Sequence, residues 1–250
     1  DGTNATINGW SGGNTIDFLQ QLVDECGSLC EECSGTIDSD GDGIADECDD
    51  CNNMSGDTND DLTIDILDIV TVVNIILNGG INSSNYTECE LADANYNSDG
   101  TINVLDIIQI INVILGSNRA YTDVEGYSDL YLSTQGDDLI ISVDSDIPVS
   151  GMQISFHSDH MLNISLNESS SDIHTGINVY DGMETFVGFS MENNPFEKGL
   201  EITVEGGHYL SANDMDIILS STSGTQVNVD WNSPEVKSFS IDKMFPNPFN

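Results

Sequence analysis

Asp57-Thr-Asn59-Asp-Asp61-Leu62-Thr63-Ile-Asp65-Ile-Leu-Asp68 runs straight into Ile69-Val-Thr-Val-Val-Asn74-Ile-Ile-Leu77, and the same pattern returns thirty-eight residues later. The shift places Thr63, Ile64, Leu67, Asp68, Ile69, Asn74, Ile76 and Leu77 on Thr101, Ile102, Leu105, Asp106, Ile107, Asn112, Ile114 and Leu115. Two copies of one loop-helix unit are therefore present. An EF-hand-type loop places side-chain oxygens at positions 1, 3, 5, 9 and 12 and a backbone carbonyl at 7, because Ca²⁺ takes six to eight hard oxygens around a tight turn. The first copy offers Asp57, Asn59, Asp61, Thr63 through its carbonyl, Asp65 and Asp68, with Leu62 where a turn glycine is usual, so some backbone strain is expected there. The second offers Asn95, Asn97, Asp99, Thr101 through its carbonyl, Asn103 and Asp106; it keeps Gly100 but opens on an amide rather than a carboxylate. Asp93 substitutes for Asn95 if that loop carries a two-residue insertion.

A third loop lies upstream, where Asp38, Asp40, Asp42, Asp46 and Asp49 fill every side-chain position, Ile44 supplies the carbonyl and Gly43 makes the turn. About three calcium sites follow. The competing reading is a solvated acidic face, which three loops in register make the weaker one. Folding of this half is expected to depend on calcium.

The two helices carry more apolar surface than one buried side requires. From 66 to 77 the polar residues are Asp68, Thr71 and Asn74, and from 104 to 115 they are Asp106, Gln109 and Asn112. Each helix needs cover on a second side, either from the chain's own β-domain or from a neighbouring subunit, and both kinds of packing are expected.

Composition sets the outer limits. Four Lys and Arg against 44 Asp and Glu give a formal charge of −40, and the first cation is Arg119. No basic patch can be built, which excludes binding to nucleic acid or to an anionic membrane by charge attraction. No apolar stretch is long enough to span a bilayer. Six cysteines and a start at Asp rather than Met suggest a mature, exported chain. Sequons at Asn4, Asn53, Asn82, Asn85, Asn163 and Asn167 fit an exposed extracellular surface and are candidate glycosylation sites.

The repeat shift also places Cys51 on Cys89, and residues related by a pseudo-twofold axis can meet, so a Cys51–Cys89 disulfide is expected. The spacing Cys30-x2-Cys33 and Cys48-x2-Cys51 also reads as a zinc ribbon. An acidic calcium loop between the pairs, an even cysteine count and an exported context favour disulfides instead, with Cys26, Cys30, Cys33 and Cys48 forming two bridges of unassigned pairing.

From about residue 121 the texture changes to short alternating runs: Leu139, Ile141 and Val143; Met152, Ile154 and Phe156; Val227, Val229 and Trp231. Turn residues separate them every eight to twelve positions, as in an antiparallel β-sandwich. Tyr180, Phe186, Phe189 and Trp231 read as core before they read as a sugar platform. His157 and His160 read as surface groups before metal ligands, and no nucleophile, base and orienting group can be assembled into an enzyme site.

Residues 57–117 resemble a dockerin type I module, with Asn103-Val-Leu-Asp-Ile-Ile108 very close to that family's second motif, and residues 38–51 resemble a thrombospondin type 3 repeat. Cellulosomal dockerins meet a cohesin through polar residues at loop positions 10 and 11; here those positions hold Ile66-Leu67 and Val104-Leu105, which argues against ordinary cellulosomal pairing. Residues 121–232 resemble the cohesin-like or carbohydrate-binding-like sandwiches that accompany dockerins in secreted bacterial proteins, a likeness carried mostly by Asp146 to Phe156. The tail, from Ser233 to Phe245-Pro-Asn-Pro-Phe-Asn250, resembles the opening of a sorting domain read by the type IX secretion system. That resemblance implies export to the surface of a bacterium. Its segment Val236 to Phe245 also reads as a lone strand that could pair with an open sheet edge of the next subunit.

The expected architecture is α+β and multidomain: a small all-α, dockerin-like calcium module of paired EF-hand-type loop-helix units, plus an antiparallel β-sandwich. Its parts are an extended lead-in and short helix (1–35), a Cys/Asp-rich calcium repeat (36–56), the dockerin-like module (57–118), the sandwich (121–232) and the tail (233–250). Two function classes follow. One is a secreted, calcium-stabilised, glycosylated structural protein that joins copies of itself head to tail, through its dockerin-like module and C-terminal strand, into a filament or surface layer. The other is a carbohydrate-binding or cohesin–dockerin scaffold component, with glycans or a cohesin-like protein as partners.

Overall fold

The computed structural model describes residues 37, 54–116, 125–158, 161–168 and 170–232. The acidic loop at 38–49, Cys26, Cys30, Cys33, Cys48 and Cys51, the sequons at Asn4 and Asn53, His160 and the tail from 233 lie outside the described residues. From residue 54 onward the described residues belong to one compact unit.

Helix α1 (Ile66–Leu77) and helix α3 (Val104–Ile114) occupy the repeat-related positions, and each starts with a capping box: Asp65 with Asp68, and Asn103 with Asp106. Side-chain oxygens there accept the amides that the first helical turn leaves unpaired. Between them lies α2 (Glu88–Ala94), seven residues capped by Thr87 and Glu90, which the sequence reading did not place.

Nine strands follow: β1 (Tyr127–Gln135), β2 (Asp138–Ser145), β3 (Val149–His157), β4 (Asn163–Leu166), β5 (Ile173–Tyr180), β6 (Met183–Ser190), β7 (Leu200–Glu205), β8 (Met215–Ser221) and β9 (Gln226–Asn232). Their order is β4-β7-β2-β1-β9-β8-β3-β6-β5. The hydrogen-bonded chain is continuous only through β9. Its first two residues pair antiparallel with β8, whereas Asn228 to Asn232 pair parallel with β1. Two ladders therefore face each other as a sandwich around a core that includes Leu130, Ile141, Ile202 and Val204 from one side and Met152, Ile154, Phe156, Phe186 and Leu219 from the other.

A second core lies on the outer face of the β8-β3-β6-β5 ladder. Ile69, Val72, Ile75 and Ile76 of α1, and Val104, Ile107, Ile108, Ile110 and Ile111 of α3, close over Val187 and Phe189 of β6 with Ile218 of β8 at the margin. Strand β6 is thus buried on both faces: Phe186 points into the sandwich, and Val187 and Phe189 point at the helices. The second side that the helices needed is supplied by the chain's own sheet. Fully burying an aliphatic side chain contributes about 1.5–3 kcal/mol, so this layer is a principal source of stability.

Candidate functional site: the paired loops and the helix–sheet interface

The two loops share a set of hydrogen bonds at loop positions 3, 5, 9 and 12. The Asp68 carboxylate accepts from the amides of Asn59 (3.2 Å) and Asp65 (2.8 Å), and the Asp106 carboxylate accepts from those of Asn97 (3.2 Å) and Asn103 (2.9 Å). Asn59 Oδ1 accepts from Asp61 and Asn97 Oδ1 from Asp99; Asp61 accepts from Thr63 and Asp99 from Thr101; Asp65 accepts from Leu67 and Asn103 from Leu105. Backbone conformation repeats as well, with left-handed residues at loop positions 4 and 6: Asp60 (φ 59°) and Leu62 (φ 68°), then Ser98 (φ 57°) and Gly100 (φ 86°). The second loop therefore runs in register from Asn95, with no insertion shifting its start to Asp93.

Leu62 carries the expected strain, since a side chain in the left-handed region costs about 1–2 kcal/mol. Its side chain is 72% exposed, so nothing of packing offsets that cost. Leu62→Gly is expected to stabilise the protein by about 0.5–1 kcal/mol in chemical denaturation, because added unfolded-state freedom cancels part of the relief. A loss of stability would contradict the assigned conformation.

Electrostatics in the loops run against a bare carboxylate. Asp68 and Asp106 have no exposed surface. Burial pushes Asp106 up to about 6, with Asp99 adding to it while the amides of Asn103 and Asn97 pull the other way. Asp68 is raised by burial and by the neighbouring Asp57 and Asp61 carboxylates, against the amides of Asp65 and Asn59. Asp99 goes the opposite way: burial raises it, but the Thr101 hydroxyl and amide and the Asn97 side chain together hold it below the usual range. A cation near Asp68 and Asp106 would favour their charged forms.

One atom singles out the second loop. Asn95 Oδ1, at loop position 1, is buried and has no hydrogen-bond partner. In the first loop the carboxylate of Asp57 accepts from the amides of Asp61 and Leu62 (3.2 and 2.8 Å). An orphaned amide oxygen at the first position of a loop that also carries Asn97, Asp99 and Asp106 fits a hard cation, which needs oxygens and no protons. Among the described residues no three His, Cys, Asp or Glu side chains converge on one point. The donor sets mix carboxylates with Asn oxygens and a threonine carbonyl, and much of their oxygen already faces loop amides.

Polar bonds fix the helices on the sheet. Gln109 Nε2 donates to Gly224 O (3.0 Å), Asn112 Nδ2 to Thr222 O (3.1 Å), and Asn178 Nδ2 to Leu77 O (3.0 Å). Asn193 Nδ2 donates both to Asn112 Oδ1 (2.7 Å) and to Thr222 O (2.7 Å). Glycines set the approach: a Cβ on Gly151 would stand 2.8 Å from Val104 Cγ2 and 2.9 Å from Ile108 Cγ1, and one on Gly176 would stand 3.0 Å from Leu77 Cδ1. Gln109 and Asn112 were conspicuous in the sequence as the polar interruptions of an apolar helix; the glycines carried the weaker signal of glycine inside a strand.

The remaining candidates fall as follows. Cys89 is disulfide-bonded, and the Cys51 of its expected pair lies outside the described residues. Asn82, Asn85, Asn163 and Asn167 are exposed, and the Asn167 side chain is also engaged at both ends, donating to Gly199 O and accepting from the Glu201 amide. Phe186 and Phe189 are core, Trp231 is half-buried, and His157 is exposed. Tyr180 packs beside Gly79 at the rim of a cleft of about 470 Å³ between the α1 end and the sheet, which Gln153, Thr185 and Ile102 also line. Among the described residues no helix is long and apolar enough to cross a membrane.

No protein-family model matches the chain, and no curated protein does. Similar solved structures include a non-cellulosomal cohesin from the hyperthermophilic archaeon Archaeoglobus fulgidus, at 13% identity over 44% of this chain and 88% of that one, with a TM-score of 0.26. A type II cohesin–X–dockerin complex from Acetivibrio cellulolyticus matches at 9% identity over 44% and 95%, TM-score 0.26. A cohesin module from a Clostridium perfringens family 33 glycoside hydrolase matches at 8% identity over 43% and 97%, TM-score 0.23.

Proposed function

We propose that this chain is a secreted, non-enzymatic structural subunit of a bacterial surface filament or layer, stiffened by calcium and joined copy to copy through its C-terminal strand. In this reading the dockerin-like unit is an internal brace. Its loops hold Ca²⁺ through Asp57, Asn59, Asp61, Thr63, Asp65 and Asp68, and through Asn95, Asn97, Asp99, Thr101, Asn103 and Asp106; the loop at Asp38 to Asp49 adds a third ion. Calcium neutralises buried carboxylates and fixes both helix N-termini, and the helices cover the cohesin-like sheet. The sugars at the exposed sequons and the disulfides suit an extracellular setting.

The observation that carries this reading is the helical layer itself: loops of calcium-binding pattern support two helices whose apolar faces are spent on the chain's own sheet. In this reading the helical layer braces the sheet. A second reading, a glycan-binding scaffold component, is favoured by the cleft beside Tyr180, where Gln153 Oε1 is buried without a partner. Negative-stain microscopy of the full chain in calcium separates the two. Ordered filaments or sheets are expected; monomers that are retained on insoluble polysaccharide would overturn the first reading in favour of the second.

A further inference from the structure

Of the two ends of the strand order, β4 is four residues long, whereas β5 has eight, pairs among the described residues only with β6 and reads Ile-His-Thr-Gly-Ile-Asn-Val-Tyr without a charge or a proline. Folded proteins normally blunt such an edge with Lys, Pro or a bulge, because its free N–H and C=O groups template another strand. Helix α3 lies over β3, β6 and β8, and α1 over β5 and β6, so α1 is the helix at the free edge. Along α1 the stripe Ile66, Val70, Val73, Leu77 keeps helical spacing. Leu77 and Val73 sit over Gly176 of β5, but Ile66 and Val70, continuing the same stripe, are each 53% exposed. Their counterparts in the second repeat, Val104 and Ile108, are fully buried on the sheet. The stripe thus runs off its cover beside a strand edge that is unpaired among the described residues.

We infer that this edge is the acceptor for the chain's C-terminal strand, Val236 to Phe245, supplied by a second copy; the inference rests on the proposed tail-linked assembly. The tail segment alternates Lys237, Phe239, Ile241, Lys243 and Phe245 on one face. Laid beside β5, that face meets Ile66 and Val70, and its two lysines meet a strand bracketed by Asp172 and Asp181. Asn232 pairs with Tyr131 in the opposite ladder, and β5 stands four places from β9 in the strand order. Fully extended, three residues such as 233–235 span about 10 Å, which favours a second copy as the donor. The donor and acceptor surfaces are different patches, so the contact is heterologous, and it builds a filament wherever its rotation does not close a ring.

The test is photo-crosslinking of the full chain with benzoylphenylalanine in place of Phe239, in assemblies mixed from isotopically labelled and unlabelled copies. Mixed-isotope crosslinks to residues 66–70 or 173–180 are expected. Crosslinks between copies at β4 or elsewhere would overturn the β5 assignment while leaving tail-linked assembly standing. Crosslinks confined within one copy, or none from a chain that stays monomeric, would overturn both. Ile66→Glu with Val70→Glu, at side chains already facing solvent, is expected to raise the concentration needed for assembly about tenfold or more. The same charge at Met161, also exposed at 53%, is expected to leave it unchanged; equal effects at both places would count against the site.

Discussion

Chelating calcium is expected to lower the melting temperature of the protein by roughly 10 °C or more. An ion bound to the folded chain at a thousand times its dissociation constant adds about 4 kcal/mol, and a domain of this size shifts by roughly 2–4 °C per kcal/mol. The residues behind this are Asp68 and Asp106. Each is buried, each stands at the last loop position, and each completes its helix's capping box from the third helical residue. Without a cation their folded-state carboxyls titrate high, so the charged form opposes folding at neutral pH. Asp106→Ala removes ligand and cap together and is expected to abolish most of the calcium-dependent shift. A melting curve that ignores both chelator and substitution would sink the calcium assignment.

The second large effect belongs to the helix–sheet interface. Ile108 is fully buried, and its Cγ1 would lie 2.9 Å from a Cβ at position 151. Ile108→Ala should cost about 2–5 kcal/mol through lost burial and the cavity left behind. Gly151→Ala should cost about 1–3 kcal/mol, because the added methyl forces Val104 and Ile108 away. The combination is informative: the methyl at 151 enters space vacated by Ile108, so the double variant is expected to be more stable than the sum of the singles by about 0.5–3 kcal/mol. Strict additivity would mean that the two positions do not share a packing site.

What the sequence made legible was local chemistry. The oxygen-bearing residues at 57–68 and 95–106 stand at the spacing an EF-hand-type loop calls for, and the helices at 66–77 and 104–114 follow from the residues that end each loop. Strands β2 and β9 showed their alternation because each has one face in the core and one outside it, while β3 showed it because its helix-covered face carries Gln153 and Ser155 opposite Met152, Ile154 and Phe156. Strand β6 hid its periodicity, since helices cover the face that solvent would otherwise occupy. The parallel pairing of β1 with β9 joins residues about a hundred positions apart, and no short-range pattern encodes it. Two features were readable and passed over: the Thr87/Glu90 capping box of α2, and Asp181-Gly182, whose φ values of 50° and 76° make the tight turn between β5 and β6. The packing roles of Gly151 and Gly176 could emerge only once the helices had been set on the sheet.

The central claim is that calcium-organised loops hold the two helices against the outer face of the sandwich. Amide hydrogen exchange on the full chain, with calcium and after chelation, tests it most directly. The account predicts that α1, α3 and the helix-facing strand β6 lose protection together when calcium is removed, while β1, β2 and β7 keep theirs. Unchanged protection of α1 and α3, with the chelator present in excess, would contradict it.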